Sequence, residues 1–319
     1  MVIKENYNIA VVIPCYNEGI SIRKVVADFK KYLPEAEVFV FDNNSIDNTI
    51  IEASEAGARV FSVKEQGKGN VVRRMFADVE ADIYIMIDGD ATYDVACAPI
   101  MIEKLINERL DMVVGVRKHD DNLAYRLGHT FGNKMLTSCV KSIFGGDFSD
   151  MLSGYRVFSS RYAKSFPAMA RGFETETELT VHALELRMPY DEYETYYAAR
   201  MEGSSSKLST YKDGIKILKM IIKLYSSERP LAFFGIISAI LFLAGILLSL
   251  PLVTYYLETG LVPRLPTALL STGLVIISTL SFLAGLLLEN VTLSRREIKR
   301  LAYLSVPVVK RGKSNADKD

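Results

Sequence analysis

The sequence predicts an α/β domain with a mostly parallel sheet, followed by a hairpin of two transmembrane helices. Up to Val116, apolar runs of strand length alternate with helix-length segments, and strands separated by such helices pair in parallel. Further along, Leu231–Leu257 and Leu265–Leu288 contain no charged side chain and number 27 and 24 residues. An apolar helix needs roughly 20 residues to cross the hydrocarbon core of a bilayer. Both segments are therefore long enough to span a membrane.

Each predicted strand is a short apolar run. The five runs are Ile9–Ile13, Val38–Phe41, Arg59–Val63, Ile83–Ile87 and Met112–Val116. The helical segments between them begin near Ser21 and then cover Asn48–Ala56, Asn70–Val79 and Pro99–Glu108. Sheets of this kind bind ligands at the carboxyl ends of their strands. A polar cluster follows every run, at residues 14–18, 42–47, 66–70 and 88–94 and at Arg117.

The distribution of charge predicts the orientation of the hairpin. Basic residues precede the first apolar segment and follow the second, whereas the connection Glu258–Arg264 carries one acid and one base. Lys and Arg are enriched on the cytoplasmic side of membrane helices. We therefore expect a multi-pass protein of the plasma or inner cell membrane, with both termini in the cytoplasm.

This orientation divides the chain into four predicted parts. Residues 1–210 form the cytoplasmic α/β domain, 211–229 an amphipathic helix among the membrane lipid headgroups, 230–290 the two spans and 291–319 a basic cytoplasmic tail. The amphipathic helix is predicted because lysines recur there at helical spacing opposite apolar side chains. Across the whole chain 38 basic residues balance 38 acidic ones, so nothing favours a nucleic acid as partner.

Asp88-Gly89-Asp90 follows directly after the run that ends at Ile87. Two carboxylates one residue apart at a strand end supply the hard oxygen ligands that Mg²⁺ or Mn²⁺ prefers, and phosphate and water complete the shell. The pair therefore predicts a site for a metal and a diphosphate. Taken alone, an Asp-Gly-Asp after a strand could equally be a turn.

Two further segments fit a nucleotide. Asp42, at a predicted strand end, can accept hydrogen bonds from a nucleobase or from ribose hydroxyls, whereas Ser45 or Asp47 could be a helix N-cap. Gly67–Asn70, with Arg73 one turn further on, opens a helix with glycines and a lysine. That arrangement suits a phosphate, although a lone turn of this kind can also be a plain connector.

Six motifs, in this order, resemble those of the inverting family 2 glycosyltransferases. They are Ile13-Pro14-Cys15-Tyr16-Asn17-Glu18, Asp42-Asn43-Asn44-Ser45, Gly67-Lys68-Gly69, Asp88-Gly89-Asp90, Asp150 with Ser153-Gly154-Tyr155-Arg156, and Arg200 with Gly203 and Ser206-Lys207-Leu208. Within that family the chain resembles the polyprenyl-phosphate glycosyltransferases, relatives of dolichol-phosphate mannose synthase. The resemblance covers about residues 8–210, and the ordered set is far more specific than any single motif.

The resemblance implies a GT-A fold, with a Rossmann-like, mostly parallel sheet and flanking helices. It implies sugar transfer, with inversion, from a UDP- or GDP-linked donor to undecaprenyl or dolichyl phosphate at the cytoplasmic membrane face, with Mg²⁺ or Mn²⁺ as cofactor. Related enzymes can be tetrameric, so a homo-oligomer is one expectation. A phosphate monoester carries roughly 1.5 to 2 negative charges at neutral pH, so this acceptor needs no strong general base.

The resemblance also implies roles for individual residues. The residues expected to bind the donor are Pro14, Tyr16, Glu18, Asp42, Lys68, Arg73, Asp88, Arg200 and Lys207. The residues expected to act in catalysis are Asp90, Arg117, Arg156 and Glu176, and Asp88 and Asp90 are the metal ligands. Arg117 and Arg156 are the candidates for the acceptor phosphate, although Arg156 could instead form a buried salt bridge with Asp150. The family's acidic residue corresponds to either Glu174 or Glu176.

Three alternative functions fit the sequence less well. A processive polysaccharide synthase would need more membrane helices and usually a Q-x-x-R-W motif, and this chain contains no tryptophan. A nucleotidyltransferase would need a glycine-rich start after Ile13, which is absent. A membrane-tethered module that binds a nucleotide sugar without catalysis would be indicated by loss of one acid of the pair, and both acids are present.

Overall fold

The computed structural model describes residues 7–118, 127–169, 174–200, 219 and 222–309. The chain divides into two compact units, Met1–Gly214 with Ile298–Asp319, and Ile215–Glu297. The first unit contains a seven-stranded sheet in the order β3-β2-β1-β4-β6-β5-β7. Its strands are β1 Ile9–Cys15, β2 Glu37–Asp42, β3 Arg59–Ser62, β4 Ile83–Met86, β5 Met112–Lys118, β6 Arg156–Ser159 and β7 Tyr190–Tyr196.

Helices flank this sheet. They are α1 Ile22–Tyr32, α2 Thr49–Glu55, α3 Lys68–Asp78, α4 Ala98–Asn107, α5 Leu127–Phe144, α6 Ser160–Ser165 and α7 Thr175–Glu185, with a 3₁₀ turn at Val95–Cys97. In α1 the buried residues are Ile22, Val25, Val26 and Phe29. They recur at the spacing of one helix face, so α1 packs that face against the core. The predicted fold class, an α/β domain with a mostly parallel sheet, is confirmed.

The central strands show why the sequence pattern was informative. β1 pairs in parallel with β2 on one side and with β4 on the other, and Ile9–Ile13 are at most 1% exposed. A parallel strand covered on both faces requires a continuous apolar run rather than an alternating one. The apolar runs therefore marked these strands directly.

Two strands lie outside the predicted set. β6 has only four residues and runs antiparallel between β4 and β5, and β7 carries mostly polar side chains at the end of the sheet. Neither a short run nor a polar one gives a strong strand signal. The sequence pattern places Arg117 after the fifth strand, but in the structure this residue lies within β5.

The first unit includes the end of the last helix of the chain. From Ile298 onward this helix belongs to the unit, and Lys299 Nζ lies 2.6 Å from Glu185 Oε2. Tyr303 donates to Asp111 Oδ2 at 2.8 Å, and burial, followed by the bond to Asp111, raises the pKa of Tyr303 to about 12. Part of the predicted basic tail is therefore helical and bound by specific contacts.

The second unit contains the long helix α8 Pro230–Thr259 and, up to Glu297, the long helix α9 Leu265–Ser305. Both have the length and composition needed to cross a membrane. Ser278 Oγ donates to the Ser238 carbonyl at 2.9 Å, and Ser271 Oγ donates to the Gly245 carbonyl at 2.8 Å. Contacts through small residues and hydroxyls are typical of helix pairs in membranes. Of the predicted amphipathic helix, residues 222–228 are helical, and most of the remainder lies outside the described residues.

His182 of α7 lies among aromatic rings in the core of the first unit. Its ring centroid is 5.3 Å from that of Tyr162 and 5.4 Å from that of Phe166, and its Nε2 is 3.1 Å from Ser165 Oγ. Burial, with a smaller contribution from the charge of Lys299, lowers the pKa of His182 from 6.5 to about 3. The side chain is therefore neutral in the folded protein at neutral pH.

Acidification is expected to destabilise the protein through His182. In the unfolded chain this side chain takes up a proton near pH 6.5, whereas in the folded chain it does so only near pH 3. The contribution of His182 to the free energy of unfolding is therefore fully present above pH 6.5, and it falls by about 1.4 kcal/mol for each pH unit below that. The free energy of unfolding of the purified protein, measured between about pH 7.5 and about pH 5, should depend less steeply on pH in the His182→Gln variant than in the unaltered protein. An unchanged slope in the variant would contradict this assignment.

Candidate active site

The turns that follow three central strands contain residues in the left-handed conformation. Asn17, Asn44 and Ala91 have φ values of 54°, 64° and 55°. Such angles are uncommon outside glycine and cluster at functional sites. The Asn17 N–H donates to Ser45 Oγ, and Asn17 Oδ1 accepts from the Ile46 N–H, both at 2.8 Å. These bonds tie the loop after β1 to the loop after β2.

Asp42, the last residue of β2, is 2% exposed. Its Oδ2 accepts from the Ser45 N–H at 3.1 Å. Its Oδ1 has no hydrogen-bond partner within the described residues. A buried acceptor left unpaired costs about 1–3 kcal/mol, so this atom is suited to a donor that a ligand supplies.

Of the other residues predicted to line the nucleotide pocket, Pro14 lies next to Asp42 in the sheet. In the pairing of β1 with β2, Pro14 lies opposite Phe41 and Cys15 lies opposite Asp42. Tyr16 is 36% exposed, and the Glu18 N–H donates to Thr49 Oγ1 at 2.8 Å. The sheet register therefore brings together residues that are far apart in the sequence.

The two carboxylates that follow β4 are each paired with a cation of the protein. Lys68 Nζ lies 2.6 Å from Asp88 Oδ1 and 2.5 Å from Glu176 Oε1. Arg200 Nη2 lies 2.8 Å from Asp90 Oδ2. The hydroxyl of Thr92 donates to Asp90 Oδ1 at 2.6 Å. Lys68 thus links α3, the turn after β4 and α7.

The pKa values of this cluster follow from burial and from neighbouring charges. Burial lowers the pKa of Lys68, but the carboxylates of Asp88 and Glu176 raise it by more, so the ammonium stays charged. Burial and then the charge of Asp88 raise the pKa of Asp90, against the bonds from Thr92 and the charge of Arg200. The site is therefore a cluster in which acidic and basic side chains alternate, with Asp90, Glu176 and Lys68 the least exposed of them.

Gly154 makes room for one of these carboxylates. A Cβ at this position would overlap Asp88 Oδ2 and would lie 2.7 Å from Asp88 Cγ. The Gly154 N–H donates to the Tyr93 hydroxyl at 2.9 Å, which fixes the backbone there. Only a residue without a side chain lets Asp88 keep its position.

The site fits a divalent cation that shares its shell with a ligand. Within the described ranges no cluster of three or more His, Cys, Asp or Glu side chains surrounds a metal position. Asp88 and Asp90 provide two hard carboxylates. Mg²⁺ and Mn²⁺ bind through one or two such groups, together with substrate phosphates and water.

Two of the predicted arginines are held in different ways. Arg117 forms a two-pronged ion pair with Asp150, with Nε–Oδ2 and Nη2–Oδ1 distances both 2.7 Å. Arg156 is 0% exposed and donates to the carbonyls of Met151 and Ser153. The expectation that Arg156 contacts the acceptor phosphate therefore disagrees with its burial inside the domain. The alternative partner for Arg156, Asp150, is paired with Arg117 instead.

Of the remaining predicted site residues, the structure describes Arg73 and Glu176. Arg73 donates through Nε and Nη2 to the Ala168 carbonyl, at 3.0 and 2.7 Å, so its guanidinium is bound to a loop. Glu176 is 5% exposed and pairs with Lys68, whereas Glu174 is exposed. The geometry thus favours Glu176 as the acidic residue of the site. Lys207 lies outside the described residues.

Comparisons with known proteins identify the family. The model of glycosyl transferase family 2 matches residues 10–162. Glycosyltransferase AglJ of Haloferax volcanii is 30% identical over 300 residues, which are 93% of this chain and 98% of that protein. The chain belongs to glycosyl transferase family 2. The dolichyl-phosphate beta-glucosyltransferase of Dictyostelium discoideum is 25% identical over 251 residues, covering 69% of this glycosyltransferase and 74% of its own length.

A solved structure shares the fold of this glycosyltransferase. Glucosyl-3-phosphoglycerate synthase of Mycobacterium tuberculosis, in complex with Mn²⁺, uridine diphosphate and glucosyl-3-phosphoglycerate, superimposes with a TM-score of 0.57 at 23% sequence identity. The match covers 69% of this chain and 80% of that one. The likeness establishes the GT-A fold, and the family establishes sugar transfer as the reaction.

Two contacts of this glycosyltransferase site differ in whether a local sequence pattern indicates them. Thr92, which binds Asp90, stands two residues after it, and that spacing is typical of a local turn bond to an Asp side chain. Tyr93, which binds Gly154, is separated from it by 61 residues. A local signal therefore existed for Thr92, whereas the role of Tyr93 depends on tertiary contact.

Gly154→Ala is expected to lower sugar transfer by about 100-fold, because the new methyl group displaces the Asp88 carboxylate by a distance that catalysis does not tolerate. The change should raise the metal concentration needed for half-maximal rate. The measurement is a Mn²⁺ titration of the transfer rate. Gly273→Ala is the matched control, because a Cβ there meets nothing within 4 Å. Equal rates for the two variants would contradict the role given to Gly154.

Proposed function

We propose that this glycosyltransferase transfers a sugar, with inversion, from a UDP- or GDP-linked donor to a polyprenyl phosphate such as undecaprenyl or dolichyl phosphate. The observation that carries the proposal is the pair of long apolar helices that follows the transferase domain. Within the most apolar 18-residue stretch of each helix, only 6% and 17% of the stretch is buried, whereas a helix in the core of a soluble protein is mostly buried. A membrane-bound transferase has direct access to an acceptor that is itself a lipid.

Two relatives support the acceptor class. The Dictyostelium relative, which matches about two thirds of this chain, is named for transfer to dolichyl phosphate. The dolichol-phosphate mannosyltransferase of Pyrococcus furiosus is 27% identical over 116 residues, which are 34% of this chain. Both names specify a phosphorylated polyprenol, which agrees with the expectation from the sequence motifs.

On the donor side, each residue has a proposed role. The unpaired Oδ1 of Asp42 accepts an N–H of the base or a ribose hydroxyl, and Pro14, Tyr16 and Glu18 line the same pocket. Asp88 and Asp90 hold the cation. When bound, Mg²⁺ or Mn²⁺ stabilises the negative charge that develops on the leaving diphosphate.

On the acceptor side, a positive charge matters more than a base. The lipid phosphate is already anionic at neutral pH, so no residue has to remove a proton from it. Arg117 is the proposed ligand for this phosphate, because a guanidinium binds phosphate through two parallel bonds. Its pairing with Asp150 orients the guanidinium before the acceptor binds. Glu176 positions Lys68 and does not act as a base.

The proposed location follows from the same features. The transferase domain, residues 1–210, lies in the cytoplasm beside the inner or plasma membrane, residues 211–229 lie in the headgroup layer, and residues 230–290 cross the bilayer twice. The basic residues on both sides of the apolar segments support this orientation. A homo-oligomer, such as a tetramer, is a further prediction that light scattering of the purified protein would test.

One assay tests the proposed function. Purified protein is incubated with Mn²⁺ or Mg²⁺, a panel of UDP- and GDP-sugars, and either undecaprenyl phosphate, dolichyl phosphate or 3-phosphoglycerate. We expect a lipid-linked sugar from one nucleotide sugar and no product from 3-phosphoglycerate. Transfer to 3-phosphoglycerate, with none to either lipid, would show that the acceptor class is wrong.

A further inference from the structure

A short loop follows α6 and leads towards α7. It comprises Phe166, Pro167, Ala168 and Met169. Ala168 has a φ of 47°, which lies in the left-handed region, and a residue with a Cβ is unfavourable there because the Cβ comes too close to the following carbonyl oxygen. Alanine also lacks the polar side chain through which Asn or Asp can stabilise this conformation locally. Contacts from elsewhere in the fold must therefore hold the loop.

Two side chains from flanking helices hold the 166–169 loop. Arg73 of α3 donates from Nε and Nη2 to the Ala168 carbonyl, at 3.0 and 2.7 Å. Glu178 of α7 accepts from the Met169 N–H through Oε1 at 2.9 Å. Hydrogen bonds to charged groups are stronger than bonds between neutral groups. The guanidinium therefore stabilises the strained residue itself, and the carboxylate fixes the peptide that follows it.

Basic side chains of α3 contact the region around the start of α7 at two points. The Nζ of Lys68, the first residue of α3, lies 2.5 Å from Glu176 Oε1 and 2.6 Å from Asp88 Oδ1. Arg73 binds Ala168, which precedes the first residue of α7 by seven positions. A displacement of the loop would therefore shift Glu176, and with it Lys68, relative to Asp88.

We propose that Arg73 is a positioning residue for sugar transfer. Its two bonds keep Ala168 in the left-handed conformation, and the loop in turn keeps the start of α7 where Glu176 can hold Lys68 beside Asp88. The role that the sequence motifs imply for Arg73, a direct contact with the donor diphosphate, is the alternative. This inference rests on sugar transfer, the reaction of the family, and it does not depend on the acceptor of the proposed function.

The test combines a loss at position 73 with a rescue at position 168. Arg73→Met removes both bonds to the loop, and we expect kcat for sugar transfer to fall about tenfold. Glycine adopts the left-handed conformation without a steric cost. Ala168→Gly in the Arg73→Met protein should therefore bring kcat back to within about threefold of the unaltered protein. A lost contact with the diphosphate could not be restored in this way, because glycine supplies no positive charge.

A second readout requires no acceptor. Hydrogen exchange of the Met169 amide is followed by mass spectrometry on the purified full chain. We expect exchange about tenfold faster in Arg73→Met, because the loop opens more often when its strained residue loses both bonds. Adding Ala168→Gly should slow the exchange again. Arg73 is exposed, so the variant is expected to fold, and its thermal unfolding is followed in parallel.

Arg74→Met is the matched control. Arg74 is the next residue of α3, its side chain is 57% exposed, and it pairs with Asp78 of the same helix. Its replacement removes the same charge from the same helix but no bond to the loop. Both kcat and the exchange of the Met169 amide should therefore stay within about twofold of the unaltered protein.

Two outcomes would overturn the positioning role. If Ala168→Gly restores neither kcat nor slow exchange in the Arg73→Met protein, Arg73 does not act through the loop. If Arg73→Met instead raises the KM for the nucleotide sugar about tenfold and leaves the exchange unchanged, Arg73 contacts the donor directly. If kcat and exchange behave as expected with an acceptor other than a polyprenyl phosphate, the positioning role stands and the proposed acceptor is wrong.

Discussion

Replacing Asp88 and Asp90 together by Asn is expected to lower the rate of sugar transfer by about 10³-fold or more. The amides keep the size of the side chains but remove the two charges that hold the cation. The leaving diphosphate then loses the electrostatic stabilisation on which the bond cleavage depends. Thr92 can still donate to the remaining oxygen at position 90, so the local turn should persist.

The measurement is the transfer rate at saturating donor, with the protein's thermal stability followed in parallel. Asp147→Asn is the matched control, because that side chain is fully exposed and should retain full activity. A chelator should abolish the activity of the unaltered protein, and added Mn²⁺ should restore it. If the double variant keeps more than about a tenth of the rate, the metal is not held by these residues.

Arg156→Met is expected to lower the free energy of unfolding by about 3 kcal/mol or more. The guanidinium is completely buried and donates to the Met151, Ser153 and Glu176 carbonyls and to Thr180 Oγ1. Methionine fills a similar volume but donates no hydrogen bond, so the Met151 and Ser153 carbonyls lose the bond from position 156, whereas the Glu176 carbonyl still accepts from Thr180 Oγ1. Each buried acceptor that loses its bond costs about 1–3 kcal/mol.

The measurement is denaturant unfolding of the purified protein, with Arg59→Met as control. Arg59 is two-thirds exposed in its ion pair with Glu37, and loss of such a surface pair costs less than about 1 kcal/mol. If the Arg156→Met variant is as stable as the control but has a raised KM for the lipid acceptor, Arg156 contacts the acceptor after all. Loss of stability with an unchanged KM would place it in the scaffold.

The strands at the centre of the sheet could be predicted because their signal is local. The runs at Ile9 and Ile83 are continuous and apolar, and such runs are what a strand covered on both faces requires. β7 could not be predicted in this way, since the segment YDEYETY is mostly polar. It becomes a strand because β5 offers it seven paired positions, and that partner is separated from it by more than 70 residues.

The arginines show the same limit at the level of single side chains. Arg117 and Arg156 look equivalent in sequence, since each stands near a predicted site motif. In the fold Arg117 pairs with Asp150, whereas Arg156 points its donors at backbone carbonyls in the interior. Which arginine receives which partner depends on the antiparallel insertion of β6 between β4 and β5, and no local pattern encodes that insertion.

By itself, the sequence determined the α/β class, the acid pair at the end of β4 and the two long apolar helices. Each of these is set by residues close together in the chain, through apolar periodicity, turn formation or uninterrupted hydrophobicity. Only the tertiary structure decided that Lys68 joins Asp88 to Glu176, that Arg200 holds Asp90 and that Arg156 is buried. Charged side chains are long and flexible, and their partners are chosen by which strands and helices meet rather than by spacing along the chain.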